Sequence, residues 1–251
     1  MDEPFYRFAA ADRVRVVTHP ARPLATVVER WPPGAFRDVH DENIYAVSGF
    51  VTRQRESSLA AEGWEPIPLE PVESWRVAGQ GRFRRVGPGV IESDGGPGLL
   101  WWPRDELASF LLVVDWRASS PGDNSGVFLR VPPLGADDPE RDWLPAVQEG
   151  YEVQIDDRGM DPATGATGSA WHRTGAVYAL APARAAASRP VGRWNTFAIT
   201  ARGPAVTVAL NGVPVSELRE EAGRRARGYL ALQAHHPGSR VAFRNLQVRR
   251  L

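Results

Sequence analysis

The sequence predicts an all-β fold of antiparallel strands, and two observations carry this prediction. First, 22 Pro and 24 Gly residues interrupt the 251-residue chain at short intervals. Second, the segments between them are short and rich in Val, Leu, Phe and Trp, as is typical of antiparallel strands joined by tight turns. These segments predict seven strands: 110–117, 125–131, 151–156, 194–201, 205–210, 228–235 and 241–249.

The pair Asn211-Gly212 gives the clearest hairpin prediction. It separates two apolar runs, and both residues of an Asn-Gly pair take positive φ at low cost. Residues 215–226 are predicted to hold a turn or two of helix. No other segment shows the periodicity of a long amphipathic helix, so the prediction is a sheet protein with almost no helix.

The first 65 residues have a different pattern from the rest of the chain. One apolar run, 44–51, lies between polar and proline-rich stretches. We interpret residues 1–65 as an N-terminal extension of uncertain structure and residues 66–251 as the β domain. Apolar side chains of the extension are expected to pack on that domain, and they are Phe36, Ile44, Tyr45, Val47 and Phe50.

Composition excludes several classes of function. The 30 basic and 30 acidic residues give a net charge of zero, which argues against a nucleic-acid or acidic-membrane partner. The chain has no Cys and no Lys, so thiol nucleophiles, disulfides, Cys-based zinc sites and Schiff-base lysines are excluded. The N-terminus lacks the pattern of a signal peptide, and no apolar stretch approaches the roughly 18 residues that span a bilayer. We therefore expect a cytoplasmic protein, or a secreted one if a leader was removed from the sequence.

The segment GYEVQIDD, residues 150–157, alternates between apolar and polar side chains. On a strand, Val153 and Ile155 would face the core, and Glu152, Gln154 and Asp156 would face the other way.

The same alternation in two other predicted strands adds polar side chains to this face. Arg130 comes from 125–131, and Gln233 and His235 come from 228–235. If the apolar faces of two sheets meet, these polar side chains line the concave side of one sheet. The pattern therefore predicts a binding or catalytic site there.

Eight segments after residue 72 carry a resemblance to a known family. They are GPGLLWW (96–102), PGDNSGVFLR (121–130), GYEVQIDD (150–157), HRTGAVYAL (172–180), GRWNTFAITARGP (192–204), LNGVPV (210–215), GYLALQAHHPG (228–238) and VAFRNLQVR (241–249). In this order they resemble the 3-keto-disaccharide hydrolases, formerly a domain of unknown function. The resemblance implies a two-sheet antiparallel jelly-roll sandwich of the concanavalin A-like type that binds sugars on its concave face.

Ordinary glycosidase chemistry is disfavoured by the spacing of the acids. Related glucanases use a Glu-x-Asp-x-x-Glu strand, whereas the matching strand here has Glu152, Gln154 and Asp156. Four residues separate the two carboxylates, so their Cα atoms should lie about 13 Å apart on a regular strand. A retaining pair needs carboxyl groups about 5–5.5 Å apart, and an inverting pair about 6.5–9.5 Å.

The resemblance implies a different route, through a ketone at C3 of the sugar. The ketone acidifies the C2 proton, so a base can remove it, the C1–O bond breaks by elimination, and water then adds. The expected base is Glu152 or His235. Arg130 is expected to stabilise the enolate oxygen, and Asp156 to act as the acid or to orient the histidine. A divalent cation on Glu152, Asp156 and His235 is an alternative electrophile.

Six further side chains are expected to bind a small carbohydrate or carbohydrate-like ligand: Gln154, Gln233, Tyr178, His172, Trp171 and Trp143. The two glutamines would hold hydroxyl groups, and Trp143 and Trp171, which lie in loops, would stack on a sugar ring. His172 is expected either to close the site as part of a lid or to make a hydrogen bond where a strand begins.

Two other functions fit the same face. One is a non-catalytic carbohydrate-binding module, which needs amides and aromatic rings but no base. The other is a tailoring eliminase, dehydratase or cyclase of a specialised biosynthetic pathway, which would use the pocket on another ketone. The combination of a base with an arginine favours an enzyme, a hydrolase or lyase acting on keto-glycosides.

Overall fold

A computed structural model describes residues 10, 13–16, 24–32, 35, 43–55, 59–135, 138, 140–220 and 223–251. Within these residues nearly all regular structure is antiparallel β, so the all-β prediction is confirmed. The α-helix of this part, α1 (Leu144–Glu149), is six residues long, and a 3-10 turn covers Val72–Ser74. No helix in the described ranges has the length and hydropathy needed to cross a membrane.

The N-terminal residues form a small antiparallel sheet of their own. Its strands are β1 (Arg13–Val16), β2 (Leu24–Trp31), β3 (Ile44–Val47), β4 (Gln54–Arg55) and β5 (Leu59–Ala61), in the spatial order β4-β3-β2-β1-β5. Tyr45, Val47 and Leu59 pack in an apolar cluster within this sheet. Phe36 lies outside the described residues. The sheet was not predicted because its short strands lie among polar residues, and the boundary at residue 65 stays a prediction.

The rest of the chain forms two larger antiparallel sheets. The first contains β7 (Arg76–Gly79), β10 (Gly98–Leu107), β12 (Ser125–Val131), β13 (Tyr151–Ile155) and β17 (Gly228–Ala234). The second contains β6 (Glu65–Pro66), β8 (Arg82–Gly87), β9 (Val90–Asp94), β11 (Phe110–Ala118), β14 (Asn195–Arg202), β15 (Ala205–Leu210), β16 (Val213–Leu218) and β18 (Val241–Arg250). The first sheet has the order β13-β12-β17-β10-β7, and the second β16-β15-β14-β11-β18-β9-β8 with β6 beside β18.

All seven predicted strands are present, and so is the hairpin between β15 and β16. The helix predicted over 215–226 is wrong in its first part, because β16 extends to Leu218 and pairs with β15. The missed helix α1 has only six residues, too few for a helical period to emerge from the sequence.

The apolar faces of the two larger sheets pack together as the core. Val153 and Leu232 from the first sheet and Trp116 and Phe243 from the second are all nearly inaccessible to solvent. Burial of such side chains is the main stabilising contribution in a sandwich. Because Val153 faces this core, Glu152 faces the opposite side of the first sheet, as the alternation predicts.

We call the first of the two larger sheets, β13-β12-β17-β10-β7, the five-stranded sheet, and its side opposite the core the site face. Part of it is covered by helix α1, whose Ala146 packs in a second apolar cluster with Trp101, Phe128 and Ala231 of the strands. The helix ends at Gly150, whose N–H donates to Ala146 O at 3.0 Å, and β13 begins at the next residue. The chain therefore passes directly from the helix that covers the site face into the strand that carries Glu152.

Candidate active site on the five-stranded sheet

Three neighbouring strands place two glutamines and a glycine in one row across the site face. Gln154 of β13 lies opposite Gly126 of β12. Val127 of β12 pairs with Leu232 of β17 in antiparallel register. The next residues of the two strands, Gly126 and Gln233, therefore also lie side by side. The structure thus brings the two glutamines onto one face, as their alternation predicts.

The carboxyl group of Glu152 lies over Gly126. A Cβ atom added at Gly126 would come 2.4 Å from Oε1 and 2.8 Å from Cγ of Glu152. The carboxyl group of Glu152 therefore occupies the space that a side chain at position 126 would fill. This places Glu152 between Gln154 and Gln233 on the floor of the site.

Two buried amide oxygens of this row, Gln154 Oε1 and Gln233 Oε1, have no hydrogen-bond partner among the described residues. The same holds for Asn124 Oδ1 and His235 Nδ1, whose residues lie two positions along the chain from Gly126 and Gln233. The two glutamines are only 2% and 8% exposed. A buried acceptor without a partner costs roughly 1–3 kcal/mol, so such atoms are usually paired with water or a ligand. This floor suits a ligand that brings several hydroxyl groups.

Glu152 also lines a cavity of about 130 Å³ to which Gln154, Gln233, Asn124 and His235 do not contribute. The other lining residues are Val147, Tyr178, Ala179, Leu180 and Arg224. The N–H of Tyr178 donates to Glu152 O at 2.9 Å, which ties this wall to β13. Glu152 is therefore shared by a polar floor and a mainly apolar cavity.

Burial shifts the pKa values of the two candidate bases in opposite directions. Glu152 is half-buried, and burial raises its pKa to about 8. Burial lowers the pKa of His235 to about 4, helped by neighbouring His236 and opposed by the charge of Asp156. At pH 7 His235 is neutral but a weak base. Glu152 is mostly protonated at this pH, and its ionised fraction is a strong base for a carboxylate. The structure favours Glu152 over His235 as the base.

Asp156 holds the turn that follows β13. It is fully buried, and its two oxygens accept hydrogen bonds from Arg158 N (3.0 Å), Met160 N (3.1 Å) and Asn124 Nδ2 (3.4 Å). Arg158 Nε lies 3.5 Å from the same carboxylate. These donors occupy the oxygen atoms that Asp156 would need in order to donate a proton to the substrate. The charge of Asp156 opposes the lowering of the His235 pKa, but no hydrogen bond joins these two side chains, so the acid and orienting roles of Asp156 stay predictions.

Arg130 does not lie on the site face, and this prediction was wrong. The register of β12 and β17 shifts so that Leu129 and Arg130 together oppose Leu230, with Arg130 at φ 54°. Such a bulge turns both residues toward the same side, here the core. Arg130 Nε and Nη2 donate to Ala108 O at 2.9 and 2.5 Å, and its guanidinium lies 5.8 Å from the ring centre of Tyr151.

Replacing Arg130 by Ala is expected to lower the free energy of unfolding by roughly 2–4 kcal/mol, because a void and an unpaired Ala108 carbonyl remain. Urea unfolding monitored by circular dichroism measures this loss. Arg202→Ala, at an exposed position on β14, is the matched control and should change stability by less than about 0.5 kcal/mol. The activity per folded molecule of Arg130→Ala should equal that of the wild type. A loss of this activity would mean that Arg130 takes part in catalysis.

Tyr178 and His172 form one wall of the site. Their ring centres lie 5.0 Å apart, and His172 Nδ1 lies 2.8 Å from Ser169 Oγ. His172 thus supports a cavity-lining side chain and does not begin a strand. Trp171 lies next to this wall, since its carbonyl accepts the Ala179 N–H at 3.2 Å, but its side chain is 47% exposed and outside the cavity lining.

Trp143 lies at the other end of the sheet. A Cβ atom at Gly79 of β7 would come 3.1 Å from Trp143 Cδ1. Strands β7 and β13 are the opposite edges of the five-stranded sheet, about 19 Å apart at roughly 4.8 Å per strand. The prediction that Trp143 stacks on a sugar beside Glu152 is therefore wrong, because helix α1 separates this residue from β13 along the chain and across the sheet.

Two site residues were missed by the sequence analysis. Arg224 lines the cavity because its Nη1 donates to Val147 O (2.6 Å) and Gly150 O (2.5 Å), at the end of helix α1. It lies in a polar run without alternation, so no sequence signal marks it. Gly126 did alternate with the core residues of β12, but a residue without a side chain gave no reason to assign it a role.

The expected divalent-cation site on Glu152, Asp156 and His235 does not fit the structure. Among the residues described, no group of three or more His, Cys, Asp or Glu side chains is placed to hold a metal ion. The oxygens of Asp156 are engaged by Asn124 and by the turn that follows β13. Glu152, Asp156 and His235 therefore do not form a set of ligands for a catalytic metal ion.

The fold and the position of the site define a jelly-roll sandwich domain with a pocket on one sheet. The chain belongs to the family described as the 3-keto-alpha-glucoside-1,2-lyase-like domain, whose model matches residues 60–249. This confirms the resemblance inferred from the sequence. The description of the family relates the domain to the chemistry of glycosides.

Three solved structures of Parabacteroides distasonis proteins, each named provisionally as a glycosyl hydrolase, share the fold. The first is 22% identical over 75% of this chain and 88% of its own, with a TM-score of 0.56. The second is 24% identical over 75% and 99%, with a TM-score of 0.56. The third is 21% identical over 76% and 85%, with a TM-score of 0.54. No curated protein matches the chain.

Proposed function

We propose that the domain cleaves a 3-keto-glycoside by removing the C2 proton, eliminating the C1 substituent and hydrating the product. The position of Glu152 carries this proposal. Its carboxyl group lies over Gly126, between the unpartnered oxygens of Gln154 and Gln233, and its pKa is raised to about 8. Proton abstraction next to a ketone requires one base with a pKa near the working pH. The lyase-like family description supports the same chemistry.

The elimination uses one base and one proton donor. The Glu152 carboxylate takes the C2 proton, and the C2–H electron pair forms a C1=C2 double bond as the C1–O bond breaks. The departing oxygen takes a proton from the hydroxyl of Tyr178, which lines the same cavity. Burial and the charge of Glu152 raise the pKa of Tyr178, so its hydroxyl is protonated when the reaction begins.

Hydration then restores both groups. Water adds its oxygen to C1 of the unsaturated ketone and returns a proton to Tyr178. The acidic proton of Glu152 exchanges with solvent between the two steps, and Glu152 then delivers a solvent-derived proton to C2. The products are the free 3-keto-sugar and an alcohol, and the enzyme ends in its starting protonation state. The amides of Gln154 and Gln233 hold the hydroxyl groups of the keto-sugar during both steps.

Reaction in D2O tests this route. A 3-keto-α-glucoside should be cleaved with deuterium incorporated at C2, detected by NMR, faster than the exchange without protein. The matched control substrate is the unoxidised glucoside, which should remain intact because its C2 proton is not acidic. Cleavage without deuterium at C2, or equal cleavage of the unoxidised glucoside, would contradict the elimination.

A carbohydrate-binding module is the second candidate, because the unpartnered amide oxygens of Gln154 and Gln233 would also serve a bound sugar without reaction. A binding module gains nothing from a carboxyl group whose pKa is near neutral pH. For this reason the enzyme is the preferred candidate. Tight binding of the 3-keto-glucoside without any turnover would favour the module. The tailoring-enzyme alternative and the cytoplasmic location stay predictions.

A further inference from the structure

We propose that the leaving group of the proposed reaction is an apolar alcohol, such as a benzyl or small alkyl alcohol, and not a second sugar. This inference rests on the proposed function, because it assigns the two regions that share Glu152, the polar floor and the cavity, to the two halves of one substrate. The C1–O bond that breaks must lie next to the base. One half of the substrate therefore lies on the polar floor and the other half in the cavity.

The polar floor suits the keto-sugar half. Gln154, Gln233 and Asn124 each present a buried amide oxygen without a partner, and His235 presents an unpartnered ring nitrogen. Several acceptors in two adjacent rows match several hydroxyl groups on one ring. An apolar group on this floor would leave all of these atoms unpaired, which disfavours its binding there.

The cavity that Glu152 lines together with Tyr178 has mainly apolar walls. Val147, Ala179 and Leu180 line it together with Tyr178. The remaining lining residue, Arg224, already donates from Nη1 to the carbonyl oxygens of Val147 and of the residue that ends helix α1. Beyond Glu152, the Tyr178 hydroxyl and the remaining N–H groups of Arg224, the walls offer no polar side chain to the hydroxyl groups of a sugar.

The size of the cavity agrees with a small apolar ring. Its volume is about 130 Å³, and apolar cavities of roughly 150 Å³ hold a benzene molecule. A hexose ring would place several hydroxyl groups against Val147 and Leu180. Each hydroxyl group left without a partner weakens binding by about tenfold. A benzyl group meets no such penalty.

Backbone hydrogen bonds hold the cavity wall in place before any ligand binds. Tyr178 N donates to Glu152 O (2.9 Å), Ala179 N to Trp171 O (3.2 Å), and Leu180 N to Val177 O (2.8 Å). Ala179 has φ 57°, a left-handed conformation that a non-glycine residue adopts only when its surroundings impose it. The wall is thus preformed, and its shape can select between leaving groups.

Two substrates with unactivated leaving groups test the inference: benzyl 3-keto-α-glucoside and the 3-keto form of an α-linked glucose disaccharide. A sugar hydroxyl is more acidic than benzyl alcohol, so leaving-group chemistry alone favours the disaccharide. We expect kcat/KM for the benzyl substrate to be at least about tenfold higher because of cavity binding. Equal or better cleavage of the disaccharide overturns the inference and leaves the proposed function standing.

Failure to cleave either substrate would count against the proposed function. In that case, the binding of benzyl alcohol and of glucose to the cavity tests the inference without any turnover. Benzyl alcohol should shift the methyl NMR signals of Leu180 and Val147, whereas glucose at the same concentration should not. Shifts with glucose only, or with neither compound, overturn the inference.

Variants of one wall residue separate polarity from volume. Leu180→Asn introduces a polar group and is expected to reduce the preference for the benzyl substrate at least fivefold, since the amide offers the sugar a partner. Leu180→Met keeps the wall apolar at similar volume and should hold the preference within threefold. An unchanged preference in folded Leu180→Asn overturns the inference. If that variant fails to fold, the comparison of the two substrates and the methyl titration still decide.

Discussion

Replacing Glu152 by Gln is expected to lower kcat/KM for a 3-keto-glycoside by about 10³-fold. The amide keeps the shape that fits over Gly126 but cannot take the C2 proton, and a positioned base typically contributes about 10²–10⁴-fold. Steady-state release of the alcohol measures the loss. The matched control is Glu217→Gln on β16, where the carboxylate pairs with Arg219 at the surface, and it should change turnover by less than twofold.

The pH dependence of the wild-type rate supplies a second measurement of the same group. Because the pKa of Glu152 is raised to about 8, the base is fully ionised only above that pH. We therefore expect kcat/KM to rise with pH and to level off above about pH 8. A profile that is flat from pH 6 to 9, or more than a tenth of wild-type activity in Glu152→Gln, would move the base role to another group.

The same substitution should raise stability at alkaline pH. The folded-state pKa of about 8 lies above the ordinary value of 4.5, so the folded protein holds the proton more tightly than the unfolded chain does. The stability from this group is complete below about pH 4.5 and falls as the pH rises toward 8. Gln has no charge to bury, so Glu152→Gln should gain roughly 4 kcal/mol over wild type at pH 9 relative to pH 5, at about 1.4 kcal/mol for each pH unit between 5 and 8. Denaturant unfolding at the two pH values measures the difference.

Regular strands explain which parts of the site could be predicted from the sequence. Strict alternation in β13 and β17 places Glu152, Gln154 and Gln233 correctly, because an unbroken strand turns every second side chain to the same face. The same rule fails in β12, where a bulge adds one residue and turns Arg130 to the core. Alternation carries no information on where a strand is interrupted, so that error could not be avoided.

Side chains outside the strands depend on contacts between distant parts of the chain. Tyr178 reaches the cavity because its backbone bonds to β13, and Arg224 because it bonds to carbonyl groups at the end of α1. Trp143 precedes the same helix but packs at the far edge of the sheet. Such placements follow from tertiary packing and leave no local pattern. The aromatic and cationic members of the site were therefore the least predictable.

Gly126→Ala is expected to lower kcat/KM by about 10- to 100-fold with little loss of stability. The new Cβ would lie 2.4 Å from Oε1, 2.8 Å from Cγ and 3.0 Å from Cδ of Glu152, so the carboxyl group must move. Displacing a reacting group by about 1 Å can cost roughly 10²-fold in rate. The atoms in conflict belong to a flexible side chain, and Gly126 is not among the residues with positive φ. The free energy of unfolding should therefore change by less than about 1 kcal/mol.

The matched control is Gly135→Ala, where a Cβ atom would meet nothing within 4 Å, and its activity should equal that of wild type. A double variant then shows whether Gly126 acts through Glu152. If it does, Gly126→Ala combined with Glu152→Gln should be no slower than Glu152→Gln alone, because the base whose position Gly126 sets is already gone. Independent, multiplying losses would mean that Gly126 serves the reaction by another route, such as close approach of the sugar to the strand.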